Sequence, residues 1–148
     1  MQVQKRGPPN EIGHSRGGAS TKIHAVVDAY SYPVYFMISE GQRNDINYAL
    51  PLLEHVNTTG SNVLADQGYD SNKLLDYVYD YGGEPTIPSR KEAKFDRYCD
   101  WWLYKERHLV ENYFLKLKAF RRIATRYDKL ASTFLGFVCI VSILIWLK

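Results

Sequence analysis

The sequence has little cysteine and no cysteine-based metal pattern. Its 148 residues include two cysteines, Cys99 and Cys139, which form neither a Cys-x-x-Cys pair nor a Cys/His cluster. Two isolated thiols are typical of reduced cysteines in a cytoplasmic protein. The N-terminal stretch MQVQKRGPPN contains no apolar core, which argues against a signal peptide.

The sequence also lacks an apolar run long enough to cross a membrane. Phe134–Leu147 (FLGFVCIVSILIWL) has about 14 residues, whereas a spanning helix needs about 20. We therefore expect a helix buried on all sides and no membrane partner. The alternative, a small membrane-associated protein anchored by this run, would require detergent to stay in solution.

The composition predicts one globular domain, and it is compatible with nucleic-acid binding. Hydrophobic residues make up 45% and aromatic residues 14% of the chain, enough for a real core. The net charge of +3 permits DNA binding without demanding it. The basic side chains are concentrated in one segment, however: Lys105, Arg107, Lys116, Lys118, Arg121, Arg122, Arg126 and Lys129. This cluster could neutralise several phosphates, or form a solvated face balanced by nearby acids, and we favour DNA binding.

The order of patterns along the chain predicts a mixed α/β fold. Residues 1–20 are rich in Gly, Pro and basic side chains and predict a loop or arm. Alternating β-branched segments predict strands, and apolar groups at helical spacing predict helices. The predicted elements are an antiparallel hairpin (Thr21–Asp28 and Val34–Ser39), a helix after an Asp45 cap (Asn47–Val56), a strand (Asn62–Ala65), a helix (Asn72–Tyr81), a strand (Glu84–Ile87), a surface loop (Pro88–Asp100) and two helices (Trp101–Phe120 and Leu130–Leu147).

The first of those two long helices carries an unusual polar stripe. Tyr104, Arg107, Glu111 and Lys118 are separated by offsets that fall at about 0°, 300°, 340° and 320° around an α-helix. An apolar band lies beside this stripe at about 220–280°, formed by Leu103, Val110, Phe114 and Leu117. A carboxylate, two cations and a phenol along the edge of a buried face suit a helix that binds anions and metal.

This stripe is similar to a known family signature. Tyr-x2-Arg-x3-Glu-x6-Lys resembles the signature of DDE transposases of the IS4/IS5 type, and RRIATRYDKL (residues 121–130) resembles the segment that follows it. ADQGYDS around Asp66 resembles the second-aspartate segment of the IS5 family. The resemblance extends from about Gly7 to Lys148 and implies that residues 21–148 are part of a ribonuclease-H-like catalytic domain, a mixed sheet flanked by helices.

The resemblance also implies roles for individual residues. Asp66 and Glu111 would be catalytic metal ligands, because carboxylate oxygens suit Mg²⁺ or Mn²⁺, two of which can drive phosphodiester cleavage and strand transfer. Asp66 follows an apolar strand and precedes a turn, so its side chain can point from a sheet edge into a cleft. Tyr104, Arg107 and Lys118 would contact DNA phosphates, with Arg121 and Arg122 in the same basic segment.

Each of these residues also has a purely structural interpretation. Asp66 could cap the turn that contains Gly68, and Arg107 could pair with Glu111 at i, i+4. Asp70 is expected beside a helix N-cap and not as a ligand. Asp28 ends a strand before a turn, but the family has no catalytic acid there, and we leave it out of the site.

The family's first acidic strand has no counterpart here, since Met1–Gln4 resembles only its tail. We therefore expect the C-terminal portion of an insertion-sequence transposase, either the product of a second reading frame or a remnant, and inactive alone. The alternative is a non-catalytic protein that binds transposon ends or associates with full-length transposase. Expected partners are double-stranded DNA and another transposase chain, as a homodimer or with the full-length enzyme, in the cytoplasm at the nucleoid.

Overall fold

The computed structural model describes residues 13–15, 18–125 and 130–148, and the fold there is mixed α/β as expected. Most of the predicted arm and the basic residues Arg126 and Lys129 lie outside this range. The described elements are β1 (Gly13–Ser15), β2 (Gly18–Val27), β3 (Pro33–Glu40), α1 (Ile46–Leu53), β4 (Asn62–Leu64), α2 (Asn72–Asp80), β5 (Glu84–Thr86), α3 (Trp101–Tyr104), α4 (His108–Lys118), α5 (Arg121–Ala124) and α6 (Ala131–Trp146). Two 3₁₀ turns, Gln67–Tyr69 and Lys105–Arg107, complete the set.

The predicted hairpin is present and is longer than expected. β2 and β3 pair antiparallel from Thr21 opposite Glu40 to Val27 opposite Pro33. Asp28 closes the connection, because its Oδ1 accepts hydrogen bonds of 2.9 Å from the backbone N–H groups of both Tyr30 and Tyr32. This turn-forming role agrees with leaving Asp28 out of the site.

Part of the expected N-terminal arm is in fact strand. β1 pairs antiparallel with the start of β2, with Gly13 opposite Ser20 and Ser15 opposite Gly18. The arm prediction was therefore wrong for residues 13–15 and 18–20. A ladder of backbone hydrogen bonds needs no particular side chain, so the glycine-rich composition of this stretch did not reveal it.

The second half of the sheet structure is a β–α–β unit. β4 and β5 pair in parallel, with Asn62 opposite Glu84 and Leu64 opposite Thr86, and α2 makes the crossover between them. Ser71 caps α2 by accepting a hydrogen bond from Leu74 N. The described strands form two sheets, β1–β2–β3 and β4–β5, where a single mixed sheet was expected. No described strand bridges the two sheets, so they remain separate.

Two apolar clusters hold these elements. The first packs α4, α5 and α6 against β3, through Ile38, Tyr113, Leu117, Ile123, Phe134, Val138, Val141 and Ile145. The second packs α1 against α2 and β5, through Ala49, Leu53, Leu74, Leu75, Val78 and Ile87.

The helix start at Asp45 differs from the prediction. Asp45 occupies the N-cap position of α1, but its side chain makes no capping hydrogen bond. Instead Asp45 Oδ1 accepts a hydrogen bond of 2.8 Å from Lys22 Nζ. A long-range ion pair to β2 has replaced the local cap.

The C-terminal helix α6 is 16 residues long, and no helix in the described part of the chain has both the length and the apolar character needed to cross a membrane. One side of α6 is buried, including Val138 and Ile145, while Ile143 and Leu147 are exposed. The expectation of a helix buried on all sides was therefore wrong. Trp146 ties the end of α6 to the hairpin by donating a hydrogen bond of 2.9 Å to Pro33 O.

Candidate active site

A shallow, open pocket lies between the segment after β4 and α3, the first part of the signature helix (α3, the 3₁₀ turn of Lys105–Arg107 and α4). It is lined by Asp66, Gln67, Gly68, Pro88, Trp101 and Tyr104. The structure thus brings together two residues that the sequence singled out, Asp66 and Tyr104, from segments almost forty positions apart. Sequence reasoning missed the other lining residues, although Gln67 and Gly68 fall within the family-like segment around Asp66.

Asp66 performs the structural role that was its alternative interpretation. Its Oδ1 accepts a hydrogen bond of 2.8 Å from Gly68 N and so caps the 3₁₀ turn of Gln67–Tyr69. Gly68 is required for this close approach, since an added Cβ would stand 2.8 Å from the same oxygen. Asp66 is exposed to solvent, and one oxygen is enough for the cap. Capping therefore leaves carboxylate lone pairs available to a ligand.

Burial raises the pKa of the neighbouring Tyr69 to about 12, and the negative charges of Asp45 and Asp66 add to this effect. The Tyr69 phenol therefore stays protonated at neutral pH. The negative charge in this region is carried by the carboxylates.

Three of the four residues of the polar stripe, Tyr104, Arg107 and Glu111, contact one another in sequence. Arg107 Nη2 lies 2.7 Å from Glu111 Oε1, and the Arg107 guanidinium lies over the Tyr104 ring at 5.9 Å from its centroid. The expected continuous helix is interrupted here by the 3₁₀ turn of Lys105–Arg107. In such a turn residues three apart eclipse each other, which brings Arg107 above Tyr104.

The buried face of α4 lies further from the stripe than the sequence indicated. Tyr113 and Leu117 are the fully buried residues, whereas Val110 and Phe114 are half-buried. Tyr113 was not predicted, because its phenol is polar. Inside the core its hydroxyl forms a hydrogen bond of 2.9 Å with Ser142 Oγ, and burial raises its pKa to about 12.

The last residue of the stripe and the next two basic residues in the chain are exposed. Lys118 ends α4, and Arg121 and Arg122 open the short helix α5. The Arg122 guanidinium lies 4.0 Å from the centroid of the Phe137 ring on α6. These three cations follow Glu111 in the chain and are exposed, but they do not line the pocket.

The two predicted metal ligands differ in their surroundings. Asp66 lines the pocket, whereas Glu111 does not and is ion-paired with Arg107. In the described ranges no group of three or more His, Cys, Asp or Glu side chains is arranged to hold a metal ion. Both carboxylates are the right kind of donor for Mg²⁺ or Mn²⁺, but these residues supply fewer ligands than a closed site needs.

A cluster that sequence reasoning missed joins Gly68 and Asp70 to the loop before α3. Asp70, expected only beside a helix N-cap, accepts a hydrogen bond of 2.6 Å from Arg97 Nη2 and one of 2.8 Å from Arg90 N. Arg90 in turn donates to Gly68 O. Burial alone would raise the pKa of Asp70, but the hydrogen bonds and charges of Arg90 and Arg97 hold it below its ordinary value.

Comparison with known proteins gives a consistent picture. Residues 3–146 match the family model described as "Transposase DDE domain". A Brucella ovis protein assigned as the transposase of insertion sequence element IS6501 is 37% identical over 130 residues, covering 87% of this chain and 99% of that protein. A Burkholderia cepacia protein assigned to element IS402 is 30% identical over 133 residues, covering 83% of this chain and 60% of that protein. No solved structure matches the chain significantly.

Proposed function

The chain belongs to the transposase DDE domain family, and on that premise we propose that it acts in transposition of an insertion sequence of the IS5 type. The chemistry we assign to it is metal-dependent cleavage and transfer of DNA strands. Two relatives whose names assign them to insertion-sequence transposition support this proposal. We further propose that the two sheets belong to a ribonuclease-H-like arrangement, which the mixed α/β order supports.

The single observation that carries the proposal is the shared pocket of Asp66 and Tyr104. Tyr104 opens the chain of contacts that continues through Arg107 to Glu111. A carboxylate on a strand end and a carboxylate on a helix are thus linked by a phenol and a guanidinium. This combination offers negative oxygens for a cation and hydrogen-bond donors for a phosphate, as phosphodiester chemistry requires.

Each residue has a role that follows from its surroundings. Asp66 and Glu111 would hold Mg²⁺ or Mn²⁺, which when bound activates the attacking oxygen and stabilises charge on the phosphate. Arg107 neutralises Glu111 and can turn its remaining donors to a phosphate oxygen. Tyr104 donates one hydrogen bond from the pocket wall. Lys118, Arg121 and Arg122 are proposed to bind the DNA backbone further along, where exposed cations fix register without reading sequence.

The test is nicking of supercoiled plasmid carrying insertion-sequence ends, with Mg²⁺ or Mn²⁺. Asp66→Asn and Glu111→Gln should each abolish it, because an amide keeps the shape and removes the charge. Asp76→Asn, an exposed aspartate on α2, is the matched control and should nick as the unchanged protein does. Nicking that survives Asp66→Asn would contradict the assignment.

A second candidate, a non-catalytic DNA-binding or assembly protein, is favoured by a specific observation. Among the described residues only two candidate carboxylates are found, and no group of three acids or histidines is arranged for a metal. Exposed cations at Lys118, Arg121 and Arg122 would suffice for binding, either as a homodimer or with a longer transposase chain. In that case no metal-dependent nicking is seen, and Glu111→Gln keeps or increases DNA affinity because it removes a negative charge near phosphate.

A further inference from the structure

The walls of the pocket come from two parts of the fold that belong to different apolar clusters. Asp66, Gln67 and Gly68 follow β4, whose unit is held by the cluster between α1 and α2. Tyr104 ends α3, which leads into α4 and the cluster around Tyr113. Both clusters pack against β2, with Ile23, Ala25 and Val27 on the first and Val26 on the second. Core packing therefore connects the two walls through this strand, and a contact next to the pocket would add to that connection.

Residues 88–100 form the segment that connects these walls, and Asp70 is hydrogen-bonded to it. The Asp70 side chain is 9% exposed and accepts from Arg97 Nη2 at 2.6 Å and from Arg90 N at 2.8 Å. The segment also has internal ties, since Arg97 N donates to Ser89 Oγ at 2.9 Å and Arg90 Nη2 donates to Gly68 O at 3.2 Å. The Asp70 carboxylate thus accepts hydrogen bonds from two arginines, from the backbone N–H of Arg90 and from the side chain of Arg97.

One end of this segment lines the pocket, and the other end caps the helix that supplies Trp101 and Tyr104 to it. The first residue of the segment, Pro88, is a lining residue, and Arg90 contacts Gly68 of the opposite wall. Its last residue, Asp100, caps α3 by accepting hydrogen bonds of 3.0 Å from Trp102 N and Leu103 N. The start of the helix that carries Tyr104 is therefore held by the same segment that Asp70 anchors.

The Asp70–Arg97 pair is less exposed to water than the Arg107–Glu111 pair within the signature. The Asp70 and Arg97 side chains are 9% and 35% exposed, compared with 54% and 33% for Glu111 and Arg107. Removing one partner of a buried pair leaves an uncompensated charge, whereas an exposed pair is replaced by water. The Asp70–Arg97 contact should therefore restrict movement between the two segments it joins.

We propose that Asp70 is a positioning residue: through Arg97 and Arg90 it holds Asp66 and Tyr104 on the same pocket. The inference rests on the proposed function only in treating Asp66 as a metal ligand. Asp70 itself does not line the pocket.

The first test is hydrogen–deuterium exchange of the whole chain, which needs no metal and no DNA. Asp70→Asn should speed exchange several-fold in peptides covering residues 66–70 and 88–104, because the contact between them is lost. The matched control is Asp96→Asn, an exposed aspartate of the same loop that has no hydrogen bond or ion pair within the described part of the chain. Unchanged exchange at residues 66–70 in Asp70→Asn overturns the inference.

The second test measures Mn²⁺ binding by electron paramagnetic resonance, which separates positioning from mere stability. Asp70→Asn should weaken Mn²⁺ about tenfold, as expected when a ligand loses its support, and Asp96→Asn should leave it unchanged. Arg97→Gln should reproduce the loss, and Arg97→Lys, which keeps the charge, should recover part of it. Wild-type Mn²⁺ affinity in a folded Asp70→Asn protein would overturn the proposal.

Two further outcomes are assigned in advance. If Asp70→Asn does not fold, the Arg97→Gln and Arg97→Lys pair decides by the same two readouts. If the unchanged protein shows no Mn²⁺ binding that depends on Asp66, the proposed metal role fails, and the exchange result alone decides whether Asp70 positions the pocket.

Discussion

Arg107 Nη2 lies 2.7 Å from Glu111 Oε1, one helical turn further along the signature helix. The pair was an alternative interpretation of both residues in the sequence, and the structure confirms it. It does not compete with their proposed functions, because Glu111 is 54% exposed and Arg107 has further donors. The carboxylate is neutralised here by a partner that can also turn to a phosphate.

Arg107→Gln should separate stability from function. An exposed i, i+4 pair contributes about 0.3–0.5 kcal/mol, so the free energy of unfolding in urea should fall by no more than about that. DNA affinity should fall more, because a phosphate contact is lost next to a Glu111 that is now unpaired. Equal affinity of the variant and the unchanged protein in a fluorescence-anisotropy titration would remove Arg107 from the DNA-binding set.

Gly68→Ala should move the Asp66 carboxylate while leaving the fold intact. The new Cβ would stand 2.8 Å from Asp66 Oδ1, the movable end of a side chain, so the protein loses only about one hydrogen bond, or about 1 kcal/mol. Mn²⁺ affinity should fall about tenfold, as for a ligand that loses its support.

The matched glycine control is Gly136→Ala on α6, where an added Cβ has nothing within 4 Å. It should stabilise the protein by about 0.5–1 kcal/mol, since alanine is the better helix former, and leave Mn²⁺ binding alone. If Gly68→Ala bound Mn²⁺ as well as Gly136→Ala does, the orientation of Asp66 would not matter for the metal.

Lys118→Ala should lower the salt dependence of DNA binding. Each phosphate neutralised contributes about 0.9 to the slope of log affinity against log salt concentration, so the slope should become shallower by about that amount. Lys73→Ala, an exposed lysine on α2, is the control and should keep the full slope. The measurement is a series of anisotropy titrations from low to moderate salt.

The stability of the protein should fall as the pH drops below neutrality because of His24. This histidine is buried, it is stacked on Tyr48, and its Nε2 lies 2.7 Å from Ser39 Oγ. Burial lowers its pKa below the ordinary value of 6.5, with Asp45 opposing this shift and Lys22 adding to it. The unfolded chain therefore takes up a proton first as the pH falls through 6.5, which favours unfolding until the folded pKa is reached.

Urea unfolding at pH 7.5 and 5.5 measures this effect. His24→Gln, which cannot titrate, should lose less stability between the two pH values than the unchanged protein does. His108→Gln, at an exposed position on α4, should behave as the unchanged protein. A His24→Gln protein with the same pH dependence as the unchanged chain would place the cause elsewhere.

Local patterns were sufficient for most elements. The hairpin, α1, α2, β4 and β5 were all predicted to within a few residues, because their periodicity and turn residues act over short distances. The cap of Asp66 and the pairing of Arg107 with Glu111 were likewise visible as alternatives, since each joins residues two to four positions apart. The candidate residues Asp66 and Tyr104 were predicted from the resemblance to the transposase signature and its second-aspartate segment, together with the position of Asp66 after an apolar strand.

The relations that depend on distant residues could not be found this way. The Asp70–Arg97 contact joins residues 27 apart, and the link from Asp45 to Lys22 joins residues 23 apart. Asp45 was predicted to cap a helix and Asp70 to lie beside a cap, and each instead binds a partner that the chain brings close only on folding. Tyr113 was missed for the same reason, because its hydroxyl is satisfied inside the core by a hydrogen bond with Ser142, 29 positions away.

By itself the sequence determined which side chains can do chemistry and which segments become helix or strand, since both are properties of residue type and short-range spacing. Tertiary structure alone decided that Asp66 and Tyr104 share a pocket, that the buried face of α4 is centred on Tyr113, and that Asp70 binds Arg97 in the loop before α3. These are matters of packing between elements, in which the burial of apolar surface and the pairing of buried charge fix distances that no local pattern encodes.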